Sequence, residues 1–206
     1  MKVLLVNGST HRNGSTYTAL EEVTRGLSAG GVSSEIFQLG NPEIRDCSGC
    51  GACAQLGKCV YDDIVNIFVE KAKEFDGFVF GTPVYYAHPS GRILSFLDRA
   101  FYSGKSAFTF KPAAAVASAR RSGTTATFDV LNKYFAINNM PIVSANYWNN
   151  IHGNNSIEAR QDVEGLQTMR VLGTNMAWLL KCIDYSRKAG ILPPTPENKI
   201  HTNFIR

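Results

Sequence analysis

Short apolar runs alternate with helix-period patterns along almost the whole of this 206-residue chain, and that alternation limits its fold more than any other feature. Lys2–Asn7 (KVLLVN) is a continuous apolar run of the kind buried on both faces in a parallel sheet. Ser34–Leu39, Gly77–Gly81, Ala113–Ala117 and Pro141–Ala145 read as four further strands. Between them, Leu20, Val23 and Leu27 repeat at helical spacing after Ser15-Thr16, and Ile64, Ile67, Phe68 and Lys71 follow the capping pair Asp62-Asp63. Ile93, Leu94, Leu97 and Phe101 follow Pro89, which suits a first helical position. Phe128, Leu131 and Phe135 mark a fourth helix, and a stretch from about Ser156 to Arg187 carries the stripe Leu166, Met169, Leu172, Met176, Leu179 and Leu180. Five strands alternating with five helices predict a parallel sheet, helices on both faces and right-handed crossovers. Ligands of such sheets sit at the carboxyl ends of the strands, so function is to be sought in the loops that follow them.

The loop after the first strand, NGSTHRNGST (Asn7–Thr16), is rich in hydroxyls and glycine. Its backbone N–H groups can turn toward an anion, with the partial positive charge of a helix N-terminus behind them. Gly8 and Gly14 have the wrong spacing for a G-x-x-x-x-G-K-[ST] loop and no Lys follows, while Ser9 and Thr10 after Gly8 break G-x-G-x-x-G. A loop of this kind suits a terminal monophosphate better than a triphosphate with magnesium. The plainer alternative is a polar turn that caps a helix.

The loop after the third strand, GTPVYYAHPSG, offers the faces of Tyr85 and Tyr86 for stacking a planar heteroaromatic ring, or two tyrosines that merely cover a helix end. The loop after the fourth, ASARRSGTT, sets the small Ser118 beside Arg120 and Arg121, which reach a phosphate or simply face solvent.

A net charge of +4, with no Lys/Arg run longer than Arg120-Arg121, argues against a nucleic-acid binder and is compatible with an anionic small molecule. No apolar run reaches the ~18 residues of a membrane span. The start, MKVLLVNGSTH, breaks at Asn7 after four apolar residues, short of the ~7 to 15 of a signal core, so it reads as a strand and the chain is expected to be cytoplasmic.

The order G-S-x-x-x-x-G-x-T after strand one, T-P-V-Y after strand three and a Cys-rich insert after strand two resembles the flavodoxin-like NAD(P)H-dependent FMN reductases, and within them the iron–sulfur flavoproteins. NYWNNIHG (Asn146–Gly153) and Arg160–Lys181 are similar too, so the resemblance covers nearly the whole chain. It implies a flavodoxin-like, doubly wound five-stranded parallel sheet of order 2-1-3-4-5 in residues 1–190, followed by an extended tail over 191–206. It implies FMN across the strand ends, with Ser9, His11, Asn13, Ser15 and Thr16 around the phosphate. Pro83, Val84, Tyr85 and Tyr86 would then border the isoalloxazine, with Ser118, Ala119 and Arg120 at its other edge. Many relatives carry Arg where this chain has His11, and a neutral His donates one hydrogen bond rather than a charged fork, which implies a weaker or pH-dependent hold on phosphate.

Four of the five cysteines, Cys47, Cys50, Cys53 and Cys59, form C-x2-C-x2-C-x5-C within DCSGCGACAQLGKCVYDD (residues 46–63). An odd count with four clustered does not suggest a secreted disulfide framework. Three thiolates at two-residue gaps can wrap three corners of a cubane cluster, with Cys59 closing the set and Gly49, Gly51 and Gly57 allowing the tight backbone. Structural zinc usually takes two C-x2-C knuckles further apart, a Cys47/Cys50 dithiol leaves two cysteines unexplained, and four bare thiols lining a surface are a further reading. The resemblance favours a [4Fe–4S] cluster. Cys182, alone on the last helical pattern, is expected in the core.

Together these readings predict an FMN-dependent oxidoreductase that takes hydride from NAD(P)H and passes electrons to a quinone, free flavin, nitro or azo compound, or a one-electron partner. No acid–base pair is evident and none is required, because the cofactor carries the chemistry. A flavodoxin-like electron carrier is the alternative, although such carriers are usually acidic. The tail ILPPTPENKIHTNFIR, with Phe204 and Ile205 near its end, predicts a homodimer or homotetramer.

Overall fold

The computed structural model describes residues 1–195 and 197–205, so Pro196 and Arg206 of the expected tail lie outside the described residues. Strand β1 (Lys2–Asn7) is central: Val3, Leu4, Leu5 and Val6 are fully buried, as a continuous apolar run requires when both faces are covered. It pairs in parallel with β2 (Ser33–Gln38) on one side and β3 (Gly77–Tyr85) on the other. Beyond β3 lie β5 (Ala113–Ala119) and β6 (Asn150–His152), both parallel, while the two-residue β4 (His88–Pro89) folds back antiparallel on the end of β3. With that hairpin set aside, the sheet order is the flavodoxin-like 2-1-3-4-5 expected from the sequence.

The fifth strand position departs from expectation. Residues 141–145 touch the sheet only through an isolated bridge between Ile142 and Ala113, and regular pairing resumes at Asn150 opposite Ala117. Four residues separate Ala113 from Ala117 and eight separate Ile142 from Asn150, so four extra residues are thrown out of the strand. That bulge carries Tyr147 and Trp148 into solvent, with Trp148 tilted against Phe128.

Two cores flank the sheet. On one face, α3 (Ile64–Ala72), α4 (Gly91–Gly104) and α5 (Thr124–Ile137) enclose an aromatic cluster. Phe68 packs there against Phe37, Phe80, Phe96 and Phe108 at centroid distances of 5.4, 6.2, 4.8 and 5.9 Å. On the other face, α1 (Ser15–Ala29) crosses α7 (Val163–Lys188) at Gly26 and Gly173. A Cβ on Gly26 would lie 2.2 Å from the Arg170 carbonyl oxygen, so the two backbones approach as closely as side chains permit. Buried Glu22 is held beside this crossing by Arg170 at 2.7 Å.

Helix starts follow the local chemistry. The Asp63 side chain accepts from Val65 N and caps α3, as its place in the sequence suggests. Helix α4 is capped by Ser90, and Pro89 belongs to β4 rather than to the helix. The expected single C-terminal helix is divided into α6 (Ser156–Ala159), which ends at Arg160, and α7, which Asp162 caps through Gly165 N. A four-residue helix, α2 (Cys53–Leu56), lies within the cysteine segment. Cys182 is exposed, contrary to expectation, because it lies off the buried stripe of α7. Residues 191–195 and 197–205 carry no helix or strand and are exposed. No helix among the described residues is long and apolar enough to cross a membrane.

Candidate functional site

The carboxyl end of β1 organises the first loop through buried Asn7. Its amide donates to Gln38 Oε1 at 2.6 Å, its oxygen accepts from Ser9 N at 3.1 Å, and Gln38 in turn donates to Ser9 O at 2.7 Å. Gly8 N bonds Gly81 O at 2.8 Å, and a Cβ on Gly8 would meet that oxygen at 2.7 Å, so this position admits only glycine without a shift. The loop is also sewn to later ones. Buried Thr16 Oγ1 and Ser118 Oγ lie 2.7 Å apart, and Ser15 Oγ donates to Gly153 O at 3.2 Å. Residues far apart in the chain therefore converge at one end of the sheet.

They line a cleft of about 680 Å³, within the range of small-molecule sites. Ser9, His11, Asn13, Ser15 and Thr16 form one wall, Pro83, Val84 and Tyr85 a second, and Ser118, Ala119 and Arg120 a third. Tyr86 is not among them, since it stands 99% exposed. It and Ala87 form the two-residue loop between paired Tyr85 and His88, with φ of 49° and 65°. Both central residues of a type I′ hairpin need positive φ, and here neither is glycine or asparagine, so the hairpin at the cleft mouth is held in a costly conformation. Gly123 packs against it so closely that a Cβ there would lie 2.5 Å from Ala87 Cα.

Sequence reasoning missed Arg12, Gly14, Gly153, Asn154, Asn155 and Ser156, which also line the cleft. The last four follow β6, and with the fifth strand expected at 141–145 the loop after it was not sought at the sheet edge. Arg12 supplies a cation one residue beyond His11, where the resemblance pointed to a missing one.

The start of α1 carries the feature that most invites an anion. Gly14, the N-cap, has no side chain with which to cap, and the N–H groups of Ser15, Thr16 and Tyr17 meet no acceptor among the described residues. Three aligned amides, the helix dipole and flanking hydroxyls make a cradle for a phosphate. The residues present therefore fit the terminal phosphate of FMN, with Tyr85, half exposed, bordering the space a ring system would need.

Cys47, Cys50, Cys53 and Cys59 line a second cavity of about 390 Å³, which shares no residue with the first. All four thiols are free. Gly49, Gly51 and Gly57 have φ of 66°, 70° and 67°, the left-handed turns that let the backbone coil around the cavity. Asn66 fixes Cys59 by accepting from its N–H at 3.0 Å and donating to its carbonyl oxygen at 2.9 Å. Beneath lies Arg99, 1% exposed, whose Nε–H donates to Cys59 Sγ at 3.2 Å. Burial works against its charge, but the hydrogen bonds to Asp63 and Cys59 outweigh that and raise its pKa above the ordinary arginine value. Among the described residues no three Cys, His, Asp or Glu side chains are grouped to hold a single metal ion. Four free thiols around one cavity are the donor type that a four-iron cluster takes.

The chain is similar to known proteins. An iron–sulfur flavoprotein of Methanocaldococcus jannaschii is 29% identical over 192 residues, covering 89% of this chain and 99% of the relative. An iron–sulfur flavoprotein of Methanosarcina thermophila is 24% identical over 192 residues, covering 91% and 99%. Among solved structures, the NAD(P)H:quinone oxidoreductase of Methanothermobacter marburgensis superposes with a TM-score of 0.62 at 17% identity, covering 85% of this chain and 94% of that one, which supports the fold. Residues 1–155, which hold β1 to β6 and every cleft residue but Ser156, match the model of NADPH-dependent FMN reductases, and the chain belongs to that family.

Proposed function

We propose that this chain binds FMN in the cleft at the carboxyl edge of the sheet and acts as an NAD(P)H-dependent flavin oxidoreductase. Electrons pass onward to a quinone, free flavin, nitro or azo compound, or a one-electron partner. The observation that carries this reading is the uncapped start of α1, opened into a cleft bordered by Tyr85. When bound, FMN supplies two-electron chemistry, accepting hydride from a nicotinamide and returning electrons to an acceptor.

The protein's part is to bind and orient. The amides of Ser15, Thr16 and Tyr17 receive the phosphate, Ser9 adds a hydroxyl, and Asn13 and His11 close the wall, while the Ser15 hydroxyl ties the loop to Gly153 O. Arg12 contributes the fixed positive charge that His11 lacks. Pro83, Val84 and Tyr85 border the ring on one side, and Ser118, Ala119 and Arg120 on the other. Thr16 and Ser118 spend their hydroxyls on each other, which fixes the spacing between the phosphate wall and the far wall. Tyr86, turned outward, is assigned no contact with the ring; it stands where an incoming nicotinamide or acceptor would pass.

Cys47, Cys50, Cys53 and Cys59 are proposed to hold a [4Fe–4S] cluster, supported by the free thiols around one cavity and by the similar iron–sulfur flavoproteins. Such a group beside a flavin enzyme lets electrons arriving in pairs leave singly. We further propose a cytoplasmic homodimer or homotetramer, with residues 1–190 as the FMN-binding domain and the tail wrapping a neighbouring subunit. Exposed Ile200, Phe204 and Ile205 are the apolar surface that such wrapping would cover.

Steady-state oxidation of NADH or NADPH by the FMN-loaded protein, with and without a quinone, tests the reductase reading. Oxidation that needs the acceptor supports it, and oxidation with neither nucleotide leaves an electron carrier in its place. Iron and acid-labile sulfide assays after anaerobic purification test the cluster separately, since flavin without iron or sulfide removes the cluster and leaves the reductase.

A further inference from the structure

Among the described residues the guanidinium of Arg99 makes more hydrogen bonds than any other cation, and the cysteine segment takes much of what it offers. All five of its N–H groups are engaged. Nε donates to Cys59 Sγ at 3.2 Å. Nη1 donates to Arg45 O at 3.3 Å and to Asp63 Oδ2 at 2.7 Å, and Nη2 to Tyr61 O at 3.2 Å and to Asp63 Oδ1 at 2.8 Å. Arg45 and Tyr61 flank the run from Cys47 to Cys59, so one buried side chain grips both ends of that segment and one of its sulfurs. The same guanidinium lies 5.1 Å from the centroid of the Tyr61 ring. Helix α4 presents it from beneath, where the side chain is 1% exposed. A buried guanidinium needs an acceptor for each of its five N–H groups, and here one of the five acceptors is a cysteine sulfur in place of an oxygen.

We propose that Arg99 is a positioning residue for Cys59, and that its Nε–H bond to the sulfur sets the reduction potential of the group the four thiolates hold. The inference rests on the cluster reading above. A hydrogen bond to a ligand sulfur draws electron density from it and favours the more negative, reduced state of a cluster. The bidentate pair with Asp63 largely balances the charge of Arg99, which leaves the N–H···S contact as its local influence. The two partners should then act with opposite sign. Removing the guanidinium deletes the donor and leaves the Asp63 carboxylate unbalanced, so the reduced state is disfavoured. Removing the Asp63 charge leaves the guanidinium unbalanced beside the sulfur, so the reduced state is favoured.

The test uses full-length wild type, Arg99→Gln and Asp63→Asn, reconstituted anaerobically with ferrous iron and sulfide. Iron and sulfide per chain are measured first. A potentiometric titration with dithionite as electron donor follows, read by the paramagnetic signal of the reduced cluster; one electron enters and no bond is made or broken. The expected result is a potential lowered in Arg99→Gln by about 59 mV, a tenfold shift of a one-electron equilibrium, and raised in Asp63→Asn. If Arg99→Gln does not fold, Arg99→Lys, which keeps a cation for Asp63 but not the Nε–H donor to Cys59, takes its place with the same lowered potential expected. Unchanged potentials, or shifts of the same sign in both variants as a loosened loop would give, overturn the role of Arg99 and leave the cluster standing. No iron or sulfide in the wild type overturns the cluster reading and this inference together, before any potential is measured.

Discussion

Replacing Gly14 with aspartate should stabilise the apoprotein and weaken FMN binding at the same time. Gly14 sits at φ −85° and ψ −170°, extended backbone that any residue adopts. A Cβ there would meet His11 Cβ at 3.1 Å, tight but against an exposed side chain that can give. The introduced carboxylate would accept from the free amides at the start of α1. An aspartate N-cap exceeds glycine by a few tenths of a kcal/mol, and the helix dipole adds about 0.3–1 kcal/mol, so a gain of about 0.5–1 kcal/mol is expected in urea unfolding of the apoprotein. For FMN the effect reverses, since the phosphate loses those amides to a fixed negative charge. Two charge-assisted hydrogen bonds at about 1.5–3 kcal/mol each make about 3–6 kcal/mol, or two to four decades in Kd, read by flavin fluorescence quenching. Riboflavin, which has no phosphate, should bind wild type and variant alike. Equal loss of FMN and riboflavin, or no loss of FMN, would refute the placement of the phosphate at α1.

Three further outcomes follow from the packing. Ser118→Ala should cost about 1–3 kcal/mol in urea unfolding, because it leaves the buried Thr16 hydroxyl, 2.7 Å away, without its partner. Gly173→Ala places a Cβ 2.3 Å from the Val23 carbonyl oxygen and should destabilise by about 1–3 kcal/mol or more as α1 and α7 are forced apart, lowering the midpoint of thermal unfolding. Tyr134 has its pKa raised, first by burial and then by its hydrogen bond to Asp98, above the ordinary value of about 10. Its contribution to stability is full below about pH 10 and is lost as pH rises toward the folded-state value, so the stability difference between wild type and Tyr134→Phe should be flat from about pH 7 to 9 and shrink above 10.

The fold was largely legible because its signals are local. Val3 to Val6 form an unbroken apolar run, and Asp63 and the helical periods of Leu20, Val23 and Leu27 mark helices without tertiary information. The fifth strand was misplaced for the opposite reason. PIVSA has the better composition for a strand, yet Asn150, Ile151 and His152 form the regular pairing beside β5, and nothing local signals the four-residue bulge that displaces them. That single displacement hid Gly153 to Ser156, a whole wall of the cleft. The first loop was readable from hydroxyls and glycine, whereas the part played by Asn7 and Gln38 depends on a cross-strand contact that no spacing encodes. Arg99 was invisible in the same way, since its carboxylate partner lies 36 residues earlier and its sulfur partner 40.

The most direct test of the central claim is anaerobic mixing of the FMN-loaded protein with NADPH and, separately, NADH, while the absorption of oxidised flavin is followed. Loss of that absorption with at least one nucleotide, and its return on adding a quinone, is the predicted result. Flavin that stays bound and oxidised with both nucleotides would contradict the reductase account.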